Sequence, residues 1–147
     1  ILVSGNKILV GLSSRTMPEA VTELKNILAE FNYQVHPLPV PDGLHLKSGM
    51  TCIKPDIFII QQIFEPVIQS LQSKLNQSFV YHVVPAEEDF AANLLPLNGN
   101  IIIPPGCPQT KNFVRLYYAE ENIHEVDTSE FRKVDGALTC LSIPYKI

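Results

Sequence analysis

The chain has 147 residues, of which 46% are hydrophobic and 18% charged, a composition that suits one globular domain and leaves little room for two. A net charge of −4 with no basic block argues against nucleic acid or an anionic membrane as partner, and no apolar run approaches the roughly 20 residues that cross a bilayer. The cysteines Cys52, Cys107 and Cys140 form no CxxC pair and cannot all be joined to one another, which fits a reducing, cytoplasmic setting better than a disulfide scaffold.

In chain order, Ile1 to Ser4 and Lys7 to Val10 flank Gly5-Asn6, a hairpin signal because both residues tolerate positive φ. Pro18 then opens a helix, and Ala20, Leu24, Ile27, Leu28 and Phe31 recur at helical spacing, which predicts one buried face. Gln34 to Leu38 follows as a strand. A second unit has strands at Leu44 to Cys52 and Asp56 to Ile60 around a Lys54-Pro55 turn, and a helix from Pro66 with Val67, Ile68, Leu71 and Leu75 inward. The strand Phe79 to Val84 closes that unit. A third runs through Ala92 to Leu97, Asn98-Gly99, Ile101 to Ile103, a helix near Thr110 to Glu120, and Ile123 to Val126. Leu138 to Ile143 reads as the first strand of a fourth. The result is an α/β chain of strand–strand–helix–strand units with a period of about 48 residues.

Two residues carry chemistry in this frame. Cys140 lies late in the chain, after Gly136 and inside an apolar run, and His45 lies far upstream behind the Asp42-Gly43 turn. A cysteine and a distant histidine can converge in the fold as nucleophile and acid/base partner. The bland alternatives are a packed core cysteine and a hydrogen-bonded structural histidine.

The words around them go further. Val10-Gly11-Leu12-Ser13-Ser14-Arg15-Thr16, Asp42-Gly43-Leu44-His45-Leu46-Lys47-Ser48, Val84-Pro85 with Ala91-Ala92-Asn93, and the stretch from Lys133 to Ser142 occur in one order across the chain. Together they resemble the dimethylarginine dimethylaminohydrolases, within the guanidine-modifying amidinotransferase superfamily. The resemblance implies a partial α/β propeller of ββαβ repeats, about three of five blades, with residues 1–147 forming a single domain from the C-terminal portion. It implies hydrolysis of an Nω-methylated arginine, or another guanidino amino acid, to citrulline and a methylamine, with no cofactor and no metal. In that scheme Cys140 is the nucleophile and His45 the general acid/base. Arg15 clamps the substrate α-carboxylate, and Val134, with its neighbour Asp135, meets the α-amino end. An arginine deiminase, an amidinotransferase or a non-enzymatic binding protein built on the fold are the alternatives.

The family's acidic guanidinium-binding residues belong to an N-terminal half upstream of Ile1. The chain is therefore expected to need a second chain or a preceding segment to complete the propeller and to turn over substrate. The remaining candidates read as structural: His36, His82 and His124 lack metal-ligand spacing, and Glu87-Glu88-Asp89 reads as solvated surface. No Gly-rich phosphate loop is present.

Overall fold

The turn at Gly5 and Asn6 folds β1 (Leu2–Ser4) back on β2 (Lys7–Leu12). This hairpin begins the first of three matching units in the computed structural model, which describes residues 1–143. From β2 the chain crosses through α1 (Pro18–Leu28) to β3 (Gln34–Pro39), which pairs parallel with β2. A one-turn helix, α2 (Leu46–Gly49), leads into the second unit: β4 (Met50–Lys54), β5 (Ile57–Ile60), α3 (Glu65–Leu75) and β6 (Val80–Val83). The third comprises β7 (Leu95–Leu97), β8 (Asn100–Ile103), α4 (Pro108–Val114) and β9 (Ile123–Glu125). Each unit is a three-stranded sheet with an antiparallel step followed by a parallel one. The first strands lie side by side, β1 next to β4 and β4 next to β7, as in the blades of a propeller.

The registers show how one blade meets the next. Ile8, Phe58 and Ile101 occupy the same place in the three middle strands, paired with Val35, Tyr81 and Ile123. Each packs toward the helix of its own unit. The next residue in each strand points to the opposite face. These residues are Leu9, Ile59 and Ile102, paired with His36, His82 and His124, so the three histidines mark one repeat position. Leu9 packs with Val67, Ile68 and Leu71 of α3, and Ile59 packs with Val114 of α4. α3 and α4 thus each fill the gap between their own sheet and the preceding one. Middle strands buried on both faces read as near-continuous apolar runs, which is why they stand out in the sequence.

α1 has no preceding sheet among the described residues. Val21 is its buried anchor, with Leu24 and Leu28 half-buried against Ile8, Val10 and Val35, while Ile27 and Phe31 are 59% and 62% exposed. The predicted buried face on this helix is therefore only partly covered. At the other end Ile102 is half-buried where its counterparts Leu9 and Ile59 are fully enclosed.

Four further expectations are corrected. Leu44 to Cys52 is not one strand: Leu46–Gly49 turns as α2 before β4 begins. The third helix ends at Val114, short of Glu120. Leu138–Leu141 forms a single 3₁₀ turn, not the first strand of a fourth unit, because no neighbouring strand is there to pair with it among the described residues. The acidic run is not simply solvated: Glu88 is 1% exposed, and its carboxylate accepts hydrogen bonds from the amides of Gln109 and Thr110, both at 2.8 Å, at the start of α4. Among the described residues no helix is long and apolar enough to cross a membrane.

Candidate functional site

The site begins where β2 runs into the turn before α2. At Gly11 a Cβ would fall 2.8 Å from Val40 Cγ2 and 2.9 Å from Leu46 Cβ, so only glycine lets the strand end approach the His45 turn this closely. Gly49, at the other end of α2, is similarly constrained, since a Cβ there would run into Gln61 and the Phe64 ring. Leu46 is buried between them, which fixes α2 and leaves its two neighbours, His45 and Lys47, free to face outward. Ser13 adds a polar tie: its hydroxyl donates to the Leu44 carbonyl at 2.8 Å and accepts from the Arg15 amide at 3.1 Å.

His45 and Cys140 line the same cavity, of about 570 Å3, with Gly11, Thr16, Ser48 and Thr139. Ala20, Leu24 and Ile27 of α1, with Ile1 and Leu44, make one wall apolar. Glu23 is the carboxylate on that wall and Lys47 the ammonium. Cys140 is the exposed thiol of the three. Cys107 is buried, and burial together with the charges of Glu88 and Glu125 pushes its thiol up to about 11. Burial also raises the Cys52 thiol, despite a hydrogen bond with Ser4 that acts the other way. A thiol held protonated is a poor nucleophile, and Cys140 is the most exposed of the three cysteines, with Cys52 half-buried and Cys107 buried.

The other expected site residues lie nearby with different exposures. Arg15 sits at the exposed tip of the turn between Ser13 and Thr16, next to the cavity-lining Thr16, and pairs with no carboxylate among the described residues. Val134 is 78% exposed after α5 (Ser129–Arg132). Asp135 follows in the left-handed region, at φ 59°, and lines a smaller hollow of about 180 Å3. That hollow meets the main cavity at Ser48 and Cys140. No three His, Cys, Asp or Glu side chains converge as a metal site among the described residues.

One residue of the site had only its sequence context to mark it. Asn93, in the Ala91-Ala92-Asn93 string, is 4% exposed and hydrogen-bonded to both the Lys47 carbonyl and Thr139. A buried asparagine after two buried alanines is the available signal; its partners are 46 residues away on either side and cannot be read from spacing.

No protein-family model matches the chain. It is similar over 146 residues to N(G),N(G)-dimethylarginine dimethylaminohydrolase of Pseudomonas aeruginosa, at 30% identity, covering 99% of this chain and 54% of that protein. Its fold is similar to the solved structure of the Pseudomonas aeruginosa enzyme, a cysteine-to-serine mutant complexed with citrulline, with a TM-score of 0.79 over 95% of this chain and 51% of that one. The N-terminal domain of a cyanobacterial arginine dihydrolase shares the fold at 17% identity, with a TM-score of 0.76 over 95% of this chain and 51% of that one. The chain spans about half the length of the curated relatives it matches. Sequence and fold agree with the resemblance carried by the four ordered motifs: the chain is a homologue of the dimethylarginine dimethylaminohydrolases and has the α/β-propeller fold of their superfamily.

Proposed function

We propose that this chain is the nucleophile-bearing portion of a hydrolase that converts an Nω-methylated arginine to citrulline and a methylamine. The observation that carries the reading is that Cys140 and His45, distant in sequence, line one cavity in a homologue of the dimethylarginine dimethylaminohydrolases.

The Cys140 thiolate adds to the guanidinium carbon and forms a C–S bond. The bond from that carbon to the methylated nitrogen breaks, and the nitrogen leaves as an amine with a proton from the His45 imidazolium. A thiouronium remains on Cys140. His45, now neutral, takes a proton from water as the water oxygen adds to the same carbon. The C–S bond then breaks, returning the thiolate, and the hydroxyl proton passes to solvent as the urea of citrulline is released. Arg15 holds the α-carboxylate through its planar fork. The Val134 backbone and the neighbouring Asp135 meet the α-amino end.

A guanidinium also needs carboxylates around it, because an unpaired cation in a closed site loses several kcal/mol. The cavity wall offers Glu23 alone. The remaining acidic groups come from a preceding segment or a second chain, which also covers the outer face of α1. Residues 1–147 act as one domain within that assembly.

The test is release of citrulline and dimethylamine from Nω,Nω-dimethylarginine, measured with this chain alone and with the N-terminal portion supplied. Turnover is expected only with the complement and is expected to fall at least about 10³-fold in Cys140→Ser. Undiminished turnover in Cys140→Ser overturns the mechanism. Substrate binding by the completed protein without any turnover favours a binding protein instead.

A further inference from the structure

We infer that Asn93 is a positioning residue that keeps the Cys140 segment in register with the His45 segment, an inference that rests on the hydrolase reading above. Its side-chain amide reaches both. The nitrogen donates to the Lys47 carbonyl at 2.9 Å and to the Thr139 hydroxyl at 2.9 Å, and the oxygen accepts from the Thr139 amide at 3.1 Å. Lys47 lies two residues after His45, and Thr139 immediately precedes Cys140. One planar group therefore spans the two segments whose side chains face the cavity.

Asn93 is itself held in place. The buried Thr51 hydroxyl donates to the Ala92 carbonyl at 2.7 Å and accepts from the Leu94 amide at 3.1 Å, bracketing Asn93 on both sides. The tie thus runs from β4 through Asn93 to both segments. Around Cys140 the other hydrogen bonds are local: the Cys140 and Leu141 amides donate to the Ala137 carbonyl, and the Ser142 hydroxyl donates to the Leu138 carbonyl. Leu138, 7% exposed, is the segment's buried anchor. Among the described residues, the polar links from this turn to distant parts of the chain are those to Asn93.

Asparagine suits this place for a specific reason. Its amide supplies two donors and an acceptor in one plane, and all are used here. Aspartate has nearly the same shape but no donor, and sets a carboxylate oxygen against the Lys47 carbonyl. The loss falls on the link to the His45 segment.

The experiment is a cycle between positions 93 and 45, read by iodoacetamide labelling of Cys140, resolved by peptide mass from Cys52 and Cys107. With Asn93 present, His45→Ala is expected to change the Cys140 labelling rate about tenfold. In Asn93→Asp the same replacement is expected to change it by less than about twofold, because the two segments no longer hold each other. An equal effect of His45→Ala in both backgrounds overturns the role of Asn93 and leaves the Cys140–His45 reading standing. No effect in either background overturns that reading and the inference with it. Far-UV circular dichroism checks that Asn93→Asp folds. Where it does not, Thr139→Val, which removes one partner of the amide and keeps the backbone bond, gives the same comparison with smaller amplitude.

Discussion

A single absent methyl group sets how close β2 comes to the His45 turn. Gly11→Ala puts a Cβ against Val40 and Leu46, and is expected to destabilise the protein by about 1–3 kcal/mol in urea unfolding. Because Leu46 is the residue displaced, the same change is expected to depress turnover of the completed enzyme beyond the stability loss. Arg15 makes a different prediction. Its proposed partner is a substrate carboxylate, so Arg15→Lys, which keeps the charge and loses the fork, is expected to raise KM about tenfold with kcat little changed. A fall in kcat at constant KM would place Arg15 outside carboxylate recognition. At this scale the strings around Cys140 and His45 marked both as candidates before the fold brought them to one cavity, and Gly11 lies within one such string. The part Asn93 plays was not, since a hydrogen-bond tie is a property of three segments and appears in none of them alone.

At the scale of elements, the strand–strand–helix–strand order was legible because turn residues and apolar runs punctuate it so regularly. The Gly5-Asn6 and Asn98-Gly99 turns and the helix-opening Pro18 and Pro66 fall where the structure has them. What failed was the typing of short apolar stretches. Leu46 to Gly49 and Leu138 to Leu141 fall in stretches read as strand, yet both are single helical turns, because strand identity depends on a neighbour to pair with. Glu88 failed for a related reason. Its acidic neighbours suggest solvent, but its carboxylate is enclosed by the start of α4. Burial alone would raise its pKa; the hydrogen bonds from the Thr110 and Gln109 amides, the Thr110 hydroxyl and nearby His82 outweigh that and hold it below the ordinary value. A carboxyl lowered in the folded state stabilises above its unfolded pKa, and that contribution is lost as pH falls through the folded one. Unfolding free energy is therefore expected to drop as pH falls below about 4.5. Glu88→Gln is expected to cost about 1–3 kcal/mol at neutral pH and to flatten that acid limb. An unchanged acid limb in this variant, measured by urea unfolding at a series of pH values, would assign the loss to other groups.

Across the whole molecule, the packing rule separates buried from exposed helix faces. Ile68 of α3 is fully buried in a cluster that draws on two sheets, so Ile68→Ala is expected to cost about 2–5 kcal/mol. Ile27 of α1 faces the open cavity, and Ile27→Asp is expected to shift the stability of this chain by no more than about 0.5 kcal/mol. The same charge is expected to block productive association with the N-terminal portion, read as lost complementation in the citrulline assay. A large stability loss from Ile27→Asp would mean that α1 is already covered.

The way α3 and α4 reach back to the preceding sheet also gives the arc of blades a direction. Its two ends are unlike: one presents a helix, α1, and the other presents a sheet face, with Ile102 half-buried upon it. Whatever adds before β1 has to bring a sheet face to α1, and whatever adds after β9 has to bring a helix to Ile102. Such contacts are head-to-tail and pair unlike surfaces, so an arrangement that sets like end against like end satisfies neither. Blades therefore join in one orientation and one sequence, as links of a chain with a front and a back.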